Sequence, residues 1–281
     1  MIASAAVIGG GTMGAGIAHA LLAAGVTVTV AEADESRAAA ARGAVLDSLA
    51  GAVRRGKLTG ADSQAAGSRL SVVVGPDALP PDCELVVEAV PEQVELKRSV
   101  LASAAAACPS AVLASNTSSL SIASLAAGLP QPQRVVGMHF FNPVPAQQLV
   151  ELVVHPGTGD GALSTCRSVV DALGKTAIVV RDSPGFATSR LGVAVGLEAI
   201  RMLAEGVASA EDIDTGMCLG YRWPMGPLRL TDLVGLDVRL AIAEHLERTL
   251  GPRFAPPPLL RDKVARGELG RKSGKGFFEW S

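Results

Sequence analysis

The sequence predicts an α/β fold in which a doubly wound, mostly parallel sheet is followed by an all-helical domain. In residues 1–183, short runs rich in Val, Ile and Leu alternate with longer segments of helical spacing, a pattern typical of parallel sheets. After Pro184 the β-rich runs end and only helical segments follow. A chain of 281 residues also suggests about two domains. We therefore expect an α/β domain over residues 1–183 and a helical domain over residues 184–281.

The predicted elements can be read in order along the chain. Apolar, β-branched runs bounded by glycine, proline or polar residues indicate strands. The predicted strands cover residues 5–8, 26–31, 70–74, 85–88, 111–114, 135–138, 149–154 and 177–180. Longer segments with apolar residues at helical spacing indicate helices. The predicted helices cover residues 15–24, 37–54, 95–107 and 162–173 in the first domain, and 191–204, 210–219, 228–250 and 259–265 in the second.

A glycine-rich turn joins the first predicted strand to the first predicted helix. Gly9 permits a tight turn, Gly11 lets the backbone approach a pyrophosphate, and Gly14 lets the helix pack closely on the strand. The phosphates then bind at the helix N-terminus, where unpaired N–H groups favour negative charge. We expect Thr12 and Met13 in the same turn to contact the nucleotide as well. The turn thus predicts a Rossmann-like dinucleotide-binding domain.

An acidic residue follows the second predicted strand. Glu32 lies 18 residues after Gly14, where dinucleotide-binding domains place the carboxylate that binds the adenine ribose hydroxyls. Asp34 and Glu35 follow, and no basic residue occurs before Arg37. A 2′-phosphate would therefore meet like charges, which favours NAD over NADP. The alternative is that Glu32 only caps a solvated turn.

Composition excludes several classes of function. The net charge of −2 gives no electrostatic reason to expect binding to nucleic acid or to an anionic membrane. No apolar stretch approaches the ~20 residues that span a bilayer, and the N-terminus lacks the basic start of a signal peptide. The four cysteines are widely scattered, so we expect neither a metal site nor a disulfide framework. These features suggest a cytoplasmic protein.

Polar residues follow three predicted strands, at the sheet edge where open α/β sheets bind ligands. They are Glu88 to Glu92 with Lys97 one helical turn beyond, the run 115–119 of sequence Ser-Asn-Thr-Ser-Ser, and the segment from His139 to Pro145. Glu151 comes twelve residues after His139, so a hairpin-like return would bring the two together. Each cluster has an alternative: surface acids, an ordinary helix cap, and a structural histidine among phenylalanines.

These motifs in this order resemble the 3-hydroxyacyl-CoA dehydrogenase family, in particular its short single-function members often called 3-hydroxybutyryl-CoA dehydrogenases. The resemblance extends over nearly the whole chain. Besides the glycine turn, it rests on residues 87–92 (Val-Glu-Ala-Val-Pro-Glu), 114–119, 139–143 (His-Phe-Phe-Asn-Pro), 182–186 (Asp-Ser-Pro-Gly-Phe), 224–227, 232–237 and 269–274.

The resemblance implies an NAD-dependent enzyme that interconverts 3-hydroxyacyl-CoA and 3-oxoacyl-CoA thioesters. It implies that His139 is the general base, that Glu151 orients its imidazole, and that Ser118 bonds the substrate oxygen. It further implies cofactor contacts from Glu92, Lys97, Asn142 and Lys272, and coenzyme A contacts from Ser48 and Arg55. It also implies a homodimer formed through the helical domain.

Two positions depart from the family pattern. Ser189 stands where the family has a substrate-binding Asn, and Gln148 stands where a Lys commonly precedes the Leu-Val-Glu run. We expect Ser189 still to face the substrate, from a greater distance. Two alternatives remain open for the whole chain. One is a related dehydrogenase of another hydroxy acid or of an acyl group on a carrier protein, and the other is a non-catalytic, crystallin-like structural protein.

Overall fold

The computed structural model describes residues 2–280, which divide into an α/β unit ending at Asp182 and a helical unit beginning at Ser183. The first unit contains one sheet of eight strands in the order β3-β2-β1-β4-β5-β6-β7-β8. Its described helices surround this mostly parallel sheet, and the second unit is built from helices. The structure therefore confirms the predicted fold class.

The sheet reverses its strand order beside the glycine-rich turn. The strands are β1 Ser4–Ile8, β2 Thr27–Glu32, β3 Leu70–Val74, β4 Leu85–Glu88, β5 Val112–Ser115, β6 Val135–Phe140, β7 Leu149–Val154 and β8 Thr176–Arg181. β1 pairs in parallel with both β2 and β4. The connections leave β1 in opposite directions, which opens a crevice at the carboxyl ends of β1 and β4 where such folds bind ligands.

The helices of the α/β unit connect these strands. They are α1 Thr12–Ala23, α2 Glu35–Arg54, α3 Gly60–Ser68, α4 Val94–Ala107, α5 Ile122–Ala126 and α6 Asp160–Ala172. The sequence analysis missed α3 and α5. α3 consists mostly of small and polar residues and buries only Ala66, so it carries little apolar periodicity.

The end of the sheet differs from the prediction in one respect that affects the site. β6 was expected to end at Met138 but continues to Phe140, so His139 lies within the strand. Phe140 is buried and pairs with Val150, which extends the apolar run past the polar histidine. β7 runs antiparallel to β6, and β8 is parallel to β7.

The helical unit contains α7 Thr188–Ala204, α8 Ala210–Gly220, α9 Pro227–Val234, α10 Leu236–Leu250 and α11 Pro258–Ala265. The single helix predicted over residues 228–250 is wrong, because Gly235 separates α9 from α10. Its φ of 100° lies in the region that favours glycine and ends a helix. No helix within residues 2–280 combines the length and apolar character needed to cross a bilayer.

A buried carboxylate organises the end of the helical unit. Asp232 is fully buried and accepts hydrogen bonds from the backbone N–H groups of Phe277 and Phe278 and from Nε1 of Trp280. A Cβ on Gly276 would lie 2.2 Å from the carboxylate Oδ1, so only glycine fits there. The motifs at residues 232–237 and 269–274 are also joined directly, because the Leu236 N–H donates to the Leu269 carbonyl at 3.3 Å.

Candidate active site

The glycine-rich turn forms an open cradle at the start of α1. Gly9 adopts a φ of 94°, and a Cβ on Gly14 would lie 1.7 Å from the Gly9 carbonyl oxygen. By contrast, a Cβ on Gly11 would have nothing within 4 Å, so this residue faces open space. Gly11 is the N-cap residue immediately before α1, and no side chain caps the helix there. Free N–H groups beside an open glycine face fit a pyrophosphate.

Glu32 lies at the carboxyl end of β2 and turns its carboxylate towards this cradle. Its Oε1 accepts a hydrogen bond from the Gly10 N–H at 2.6 Å, and its Oε2 accepts one from the Ala33 N–H at 3.1 Å. Asp34 instead caps α2 by accepting from the Arg37 N–H at 2.8 Å. The structure therefore assigns capping to Asp34 and leaves Glu32 beside the turn, which fits the ribose of NAD.

His139 and Glu151 occupy directly opposite positions on the antiparallel strands β6 and β7. The imidazole Nδ1 lies 2.7 Å from the Glu151 Oε2, and both residues are buried. The hairpin-like return predicted from the sequence is therefore confirmed. A buried carboxylate at this distance favours the tautomer with hydrogen on Nδ1, which leaves Nε2 able to accept a proton.

Ser118 approaches the other nitrogen of the same imidazole. It lies in the loop after β5, and its hydroxyl is 3.1 Å from His139 Nε2. The same loop is bonded to β6 because the Asn116 Oδ1 accepts from the Phe140 N–H at 2.9 Å. The imidazole therefore contacts a carboxylate through one nitrogen and a hydroxyl through the other.

Glu92 binds the loop that carries Ser118. Its Oε1 accepts hydrogen bonds from the Thr117 hydroxyl at 2.5 Å, the Ser118 N–H at 3.0 Å and the Ser119 N–H at 3.1 Å. Burial by itself would raise the pKa of the Glu92 carboxyl. The hydrogen bonds from Thr117 and the charge of Lys97, with further bonds from Ser119 and Ser118, outweigh burial and lower that pKa.

Lys97, predicted to contact the cofactor, lies behind Glu92 in the structure. Its ammonium Nζ donates to the Glu88 Oε1 at 2.6 Å and to the Val90 carbonyl at 3.0 Å, and it lies 3.3 Å from the Glu92 Oε2. Glu88 is fully buried, so the alternative that it is a surface acid is wrong. Its Oε2 accepts from the Ser115 hydroxyl at 2.7 Å.

Asn142 lies in the exposed loop between β6 and β7. Sequence reasoning missed Lys175, whose ammonium donates to the carbonyl oxygens of Val144 at 2.8 Å and Gln147 at 2.6 Å in this loop. The available signal was its position in the sequence. Lys175 immediately precedes β8, which pairs with β7, so it lies close to the loop that leads into β7. Gln148 joins β8 through its carbonyl oxygen, which accepts from the Thr176 N–H at 2.7 Å.

The predicted coenzyme A residues lie on or just after α2. The Ser48 hydroxyl is 2.7 Å from the Nδ1 of His19 in α1. Burial lowers the pKa of His19, and the positive charges of Arg55 and Lys175 lower it further. Arg55 follows α2 and is exposed. The pair of His19 and Ser48 therefore joins α1 to α2 next to positive charge.

The remaining candidates belong to the helical unit. The Lys272 ammonium lies 2.6 Å from the Asp237 carboxylate. Ser189 is half-buried in the first turn of α7.

Among residues 2–280 no group of three or more His, Cys, Asp or Glu side chains is arranged to hold a metal ion.

Comparisons with known proteins identify the family. Residues 4–183 match the family described as "3-hydroxyacyl-CoA dehydrogenase, NAD binding domain". Residues 185–280 match the family described as "3-hydroxyacyl-CoA dehydrogenase, C-terminal domain". Together the two matches cover both units of the structure.

Individual relatives agree with this result. A 3-hydroxybutyryl-CoA dehydrogenase of Mycobacterium tuberculosis is 43% identical over 278 residues, which cover 98% of this chain and 97% of the relative. The mitochondrial hydroxyacyl-coenzyme A dehydrogenase of Sus scrofa is 38% identical, with 98% and 90% coverage. The crystal structure of (S)-3-hydroxybutyryl-CoA dehydrogenase from Ralstonia eutropha superimposes with a TM-score of 0.94 at 38% identity, covering 100% of both chains. The chain therefore belongs to the 3-hydroxyacyl-CoA dehydrogenase family and is an NAD-dependent enzyme.

Proposed function

We propose that this enzyme interconverts short-chain 3-hydroxyacyl-CoA and 3-oxoacyl-CoA thioesters, with 3-hydroxybutyryl-CoA as its preferred alcohol. The observation that carries this proposal is the buried imidazole of His139, held between the Glu151 carboxylate and the Ser118 hydroxyl. Relatives of nearly the same length named as 3-hydroxybutyryl-CoA dehydrogenases support the short acyl chain.

In the oxidation direction, His139 Nε2 removes the proton of the 3-hydroxyl group. Ser118 donates a hydrogen bond to the same oxygen and holds it beside the imidazole. Glu151 accepts a hydrogen bond from the Nδ1–H group and stabilises the imidazolium that forms. A positioned acid–base residue of this kind contributes about 10²–10⁴-fold to the rate. NAD, when bound, supplies the acceptor for the hydride that leaves C3.

In the reduction direction, the imidazolium of His139 returns its proton to the carbonyl oxygen. Its pairing with Glu151 keeps the charged ring stable in a buried site until that step. Ser118 then orients the 3-oxo group instead of the hydroxyl. The same three side chains therefore serve both directions, as microscopic reversibility requires.

The cofactor and substrate are held by separate groups of residues. The glycine turn with Thr12 and Met13 would bind the pyrophosphate, and Glu32 the adenine ribose. Further cofactor contacts are assigned to Glu92, Asn142 and Lys272, and Lys97 would act on the cofactor through the Glu92 carboxylate that it contacts. The thioester substrate is assigned to Ser118, Ser189, Ser48 and Arg55.

NADH absorbance tests the substrate. We expect fastest oxidation of NADH with acetoacetyl-CoA, slower reaction with longer 3-oxoacyl-CoAs, and none with free acetoacetate. The His139→Gln protein serves as the blank. Faster turnover of a free acid or of an acyl group on a carrier protein would favour the alternative dehydrogenase and overturn the proposal.

We also propose a homodimer formed through the helical unit. This unit exposes large apolar side chains, including Leu191 at 68%, Leu219 at 78% and Tyr221 at 75%. A second copy would cover these apolar side chains. Sedimentation at micromolar concentration should give a dimer, and a monomer there would contradict this assembly.

A further inference from the structure

A row of charged side chains lies behind Ser118, at the carboxyl ends of β4 and β5. It consists of Glu88, Lys97 and Glu92, with the hydroxyl of Ser115 bonded to its inner end. The acid–base step described above uses none of these four side chains. We call them the Glu88–Lys97–Glu92 row.

Glu88 forms the inner end of the row. Its side chain is 0% exposed, and its carboxylate accepts from Lys97 at 2.6 Å, from the Ser115 hydroxyl at 2.7 Å and from the Val90 N–H at 2.8 Å. A carboxylate taken this far out of water is tolerated only when it is paired and hydrogen-bonded. The position of Glu88 is therefore tightly determined.

Lys97 forms the middle of the row. An ammonium group has three N–H donors. In Lys97 they face Glu88, the Val90 carbonyl and Glu92, and its side chain is only 2% exposed. Because each donor already faces an acceptor, Lys97 directly holds the carboxylates of Glu88 and Glu92.

Glu92 forms the outer end and connects the row to the loop. One of its oxygens faces Lys97, while the other accepts from the Thr117 hydroxyl and the backbone N–H groups of Ser118 and Ser119. A second link runs through Ser115, whose hydroxyl also accepts from the Thr117 N–H at 3.3 Å. Both links end on residues adjacent to, or including, Ser118.

We propose that Glu88 and Lys97 are positioning residues that act through Glu92, and that Ser115 is a positioning residue that acts through Glu88 and directly on Thr117. They hold the Glu92 carboxylate in place, and Glu92 holds the Ser118 loop so that its hydroxyl faces His139. The loop geometry does not depend on the proposed substrate, although the expected change in kcat rests on the proposed function.

Glu88→Gln tests the proposal because it keeps the size of the side chain and removes the charge that holds Lys97. Hydrogen exchange of the Ser118 and Ser119 amides in the cofactor-free protein should become at least tenfold faster. We expect kcat with acetoacetyl-CoA to fall about tenfold, while the Kd of NADH, measured by fluorescence, rises by less than the same factor, because Glu92 is also assigned to the cofactor. The matched control is Glu95→Gln in the same helix, whose carboxylate is 85% exposed and should leave all three values unchanged.

A double substitution separates positioning from a general loss of structure. If Glu88 acts on kcat by placing the Ser118 hydroxyl, it can have little effect once Ser118→Ala has removed that hydroxyl. Adding Glu88→Gln to Ser118→Ala should therefore lower kcat by less than a further twofold. A full tenfold drop in that background, or unchanged amide exchange in Glu88→Gln, would overturn the proposal. Faster exchange together with no activity on any 3-oxoacyl-CoA in the wild-type enzyme would instead overturn the proposed function alone.

Ser115→Ala provides a milder test if Glu88→Gln does not fold. It removes one hydrogen bond to Glu88 and one from Thr117 but keeps the pair of Glu88 and Lys97. We expect about threefold faster exchange at Ser118 and Ser119 and a comparable decrease in kcat. Wild-type exchange in Ser115→Ala would show that its hydroxyl does not act on the loop.

Discussion

The two nitrogens of His139 are held in different ways. Nδ1 contacts Glu151 across two paired strands, so backbone hydrogen bonds set the distance between them. Nε2 contacts Ser118, whose loop is held largely by the side chain of Glu92. Strand pairing sets the separation of His139 and Glu151 whatever the nearby charges, whereas the position of the Ser118 loop depends on the Glu92 carboxylate staying ionised. We therefore expect the contact between His139 and Glu151 to withstand changes in nearby charges, and the contact between His139 and Ser118 to respond to them.

The largest expected effect comes from removing the shared imidazole. His139→Gln should lower kcat by about 10²–10⁴-fold, since the base acts in the transition state. The Kd of NADH should change little because the imidazole is not assigned to the cofactor. Stopped-flow kinetics and NADH fluorescence measure the two quantities. His245→Gln, in α10, is the matched control. Near-normal turnover in His139→Gln would place the base elsewhere.

Breaking the strand-held contact should cost less. In Glu151→Gln the amide can still orient the ring but cannot balance the charge of the imidazolium, so we expect kcat to fall about 10²-fold. Adding His139→Gln to this variant should reduce kcat little below His139→Gln alone, because residues that act as a unit are not additive. Steady-state kcat of the two single variants and the double variant measures this. Fully multiplicative losses would show that Glu151 acts independently of the histidine.

The loop-held contact can be weakened through pH. The pKa of Glu92 in the folded protein lies below its usual value, so ionisation of this carboxyl stabilises the folded loop. That stabilisation is fully present above the pKa of an unperturbed Glu, about 4.3, and is lost as pH falls through the lower, folded pKa. Amide exchange at Ser118 and Ser119, corrected for intrinsic rates, should thus stay slow at pH 5 and rise only below about pH 4.3.

Glu92→Gln sharpens the same comparison. We expect kcat to fall about tenfold, as for the loss of a hydrogen bond to a charged group. The acid-dependent rise in exchange at Ser118 and Ser119 should disappear, while Glu95→Gln should keep it. An unchanged pH dependence in Glu92→Gln would show that another group controls the loop.

The part of the site that lies on paired strands, His139 with Glu151, could be predicted from the sequence. His139 and Glu151 fall on adjacent β runs joined by a short connection, so a local return is enough to bring them together. The glycine turn and Glu32 follow the same logic, because each lies at the end of a recognisable strand. Position along a strand and at its end carries most of this information.

The Ser118 loop and the side chains that hold it could not be predicted in the same way. The resemblance implies a cofactor contact from Lys97, which stays a prediction, but it gives no sign that the ammonium lies between Glu88 and Glu92. Which acceptors a long side chain reaches depends on how α4 packs against β4 and β5, and spacing does not encode that. The break at Gly235 was missed for a related reason, since apolar periodicity continues across it.

Glu32, the last residue of β2, places a carboxylate beside the glycine-rich turn. We expect NADH to exceed NADPH by at least tenfold in kcat/KM, about 1.4 kcal/mol, because a 2′-phosphate would meet this carboxylate. Glu32→Ala should narrow that ratio, mainly by raising activity with NADPH. Glu35→Ala is the control, because Glu35 lies at the start of α2 and should change the ratio less. Equal use of both cofactors by the wild-type enzyme would contradict the role assigned to Glu32.

The smallest effect is expected at Ser189, the residue where the chain departs from its family. A serine hydroxyl reaches less far than the amide of the family's Asn, so we expect a long or water-mediated contact with the thioester. Losing a hydrogen bond to a neutral group costs about 1 kcal/mol, whereas losing a donor to developing charge costs about 3 kcal/mol. Ser189→Ala should therefore lower kcat/KM only severalfold. Ser189→Asn should retain activity and shift the preferred acyl chain length, measured across 3-oxoacyl-CoAs. A thousandfold loss in Ser189→Ala would instead mean that this hydroxyl contacts the reacting oxygen directly, as Ser118 is proposed to do.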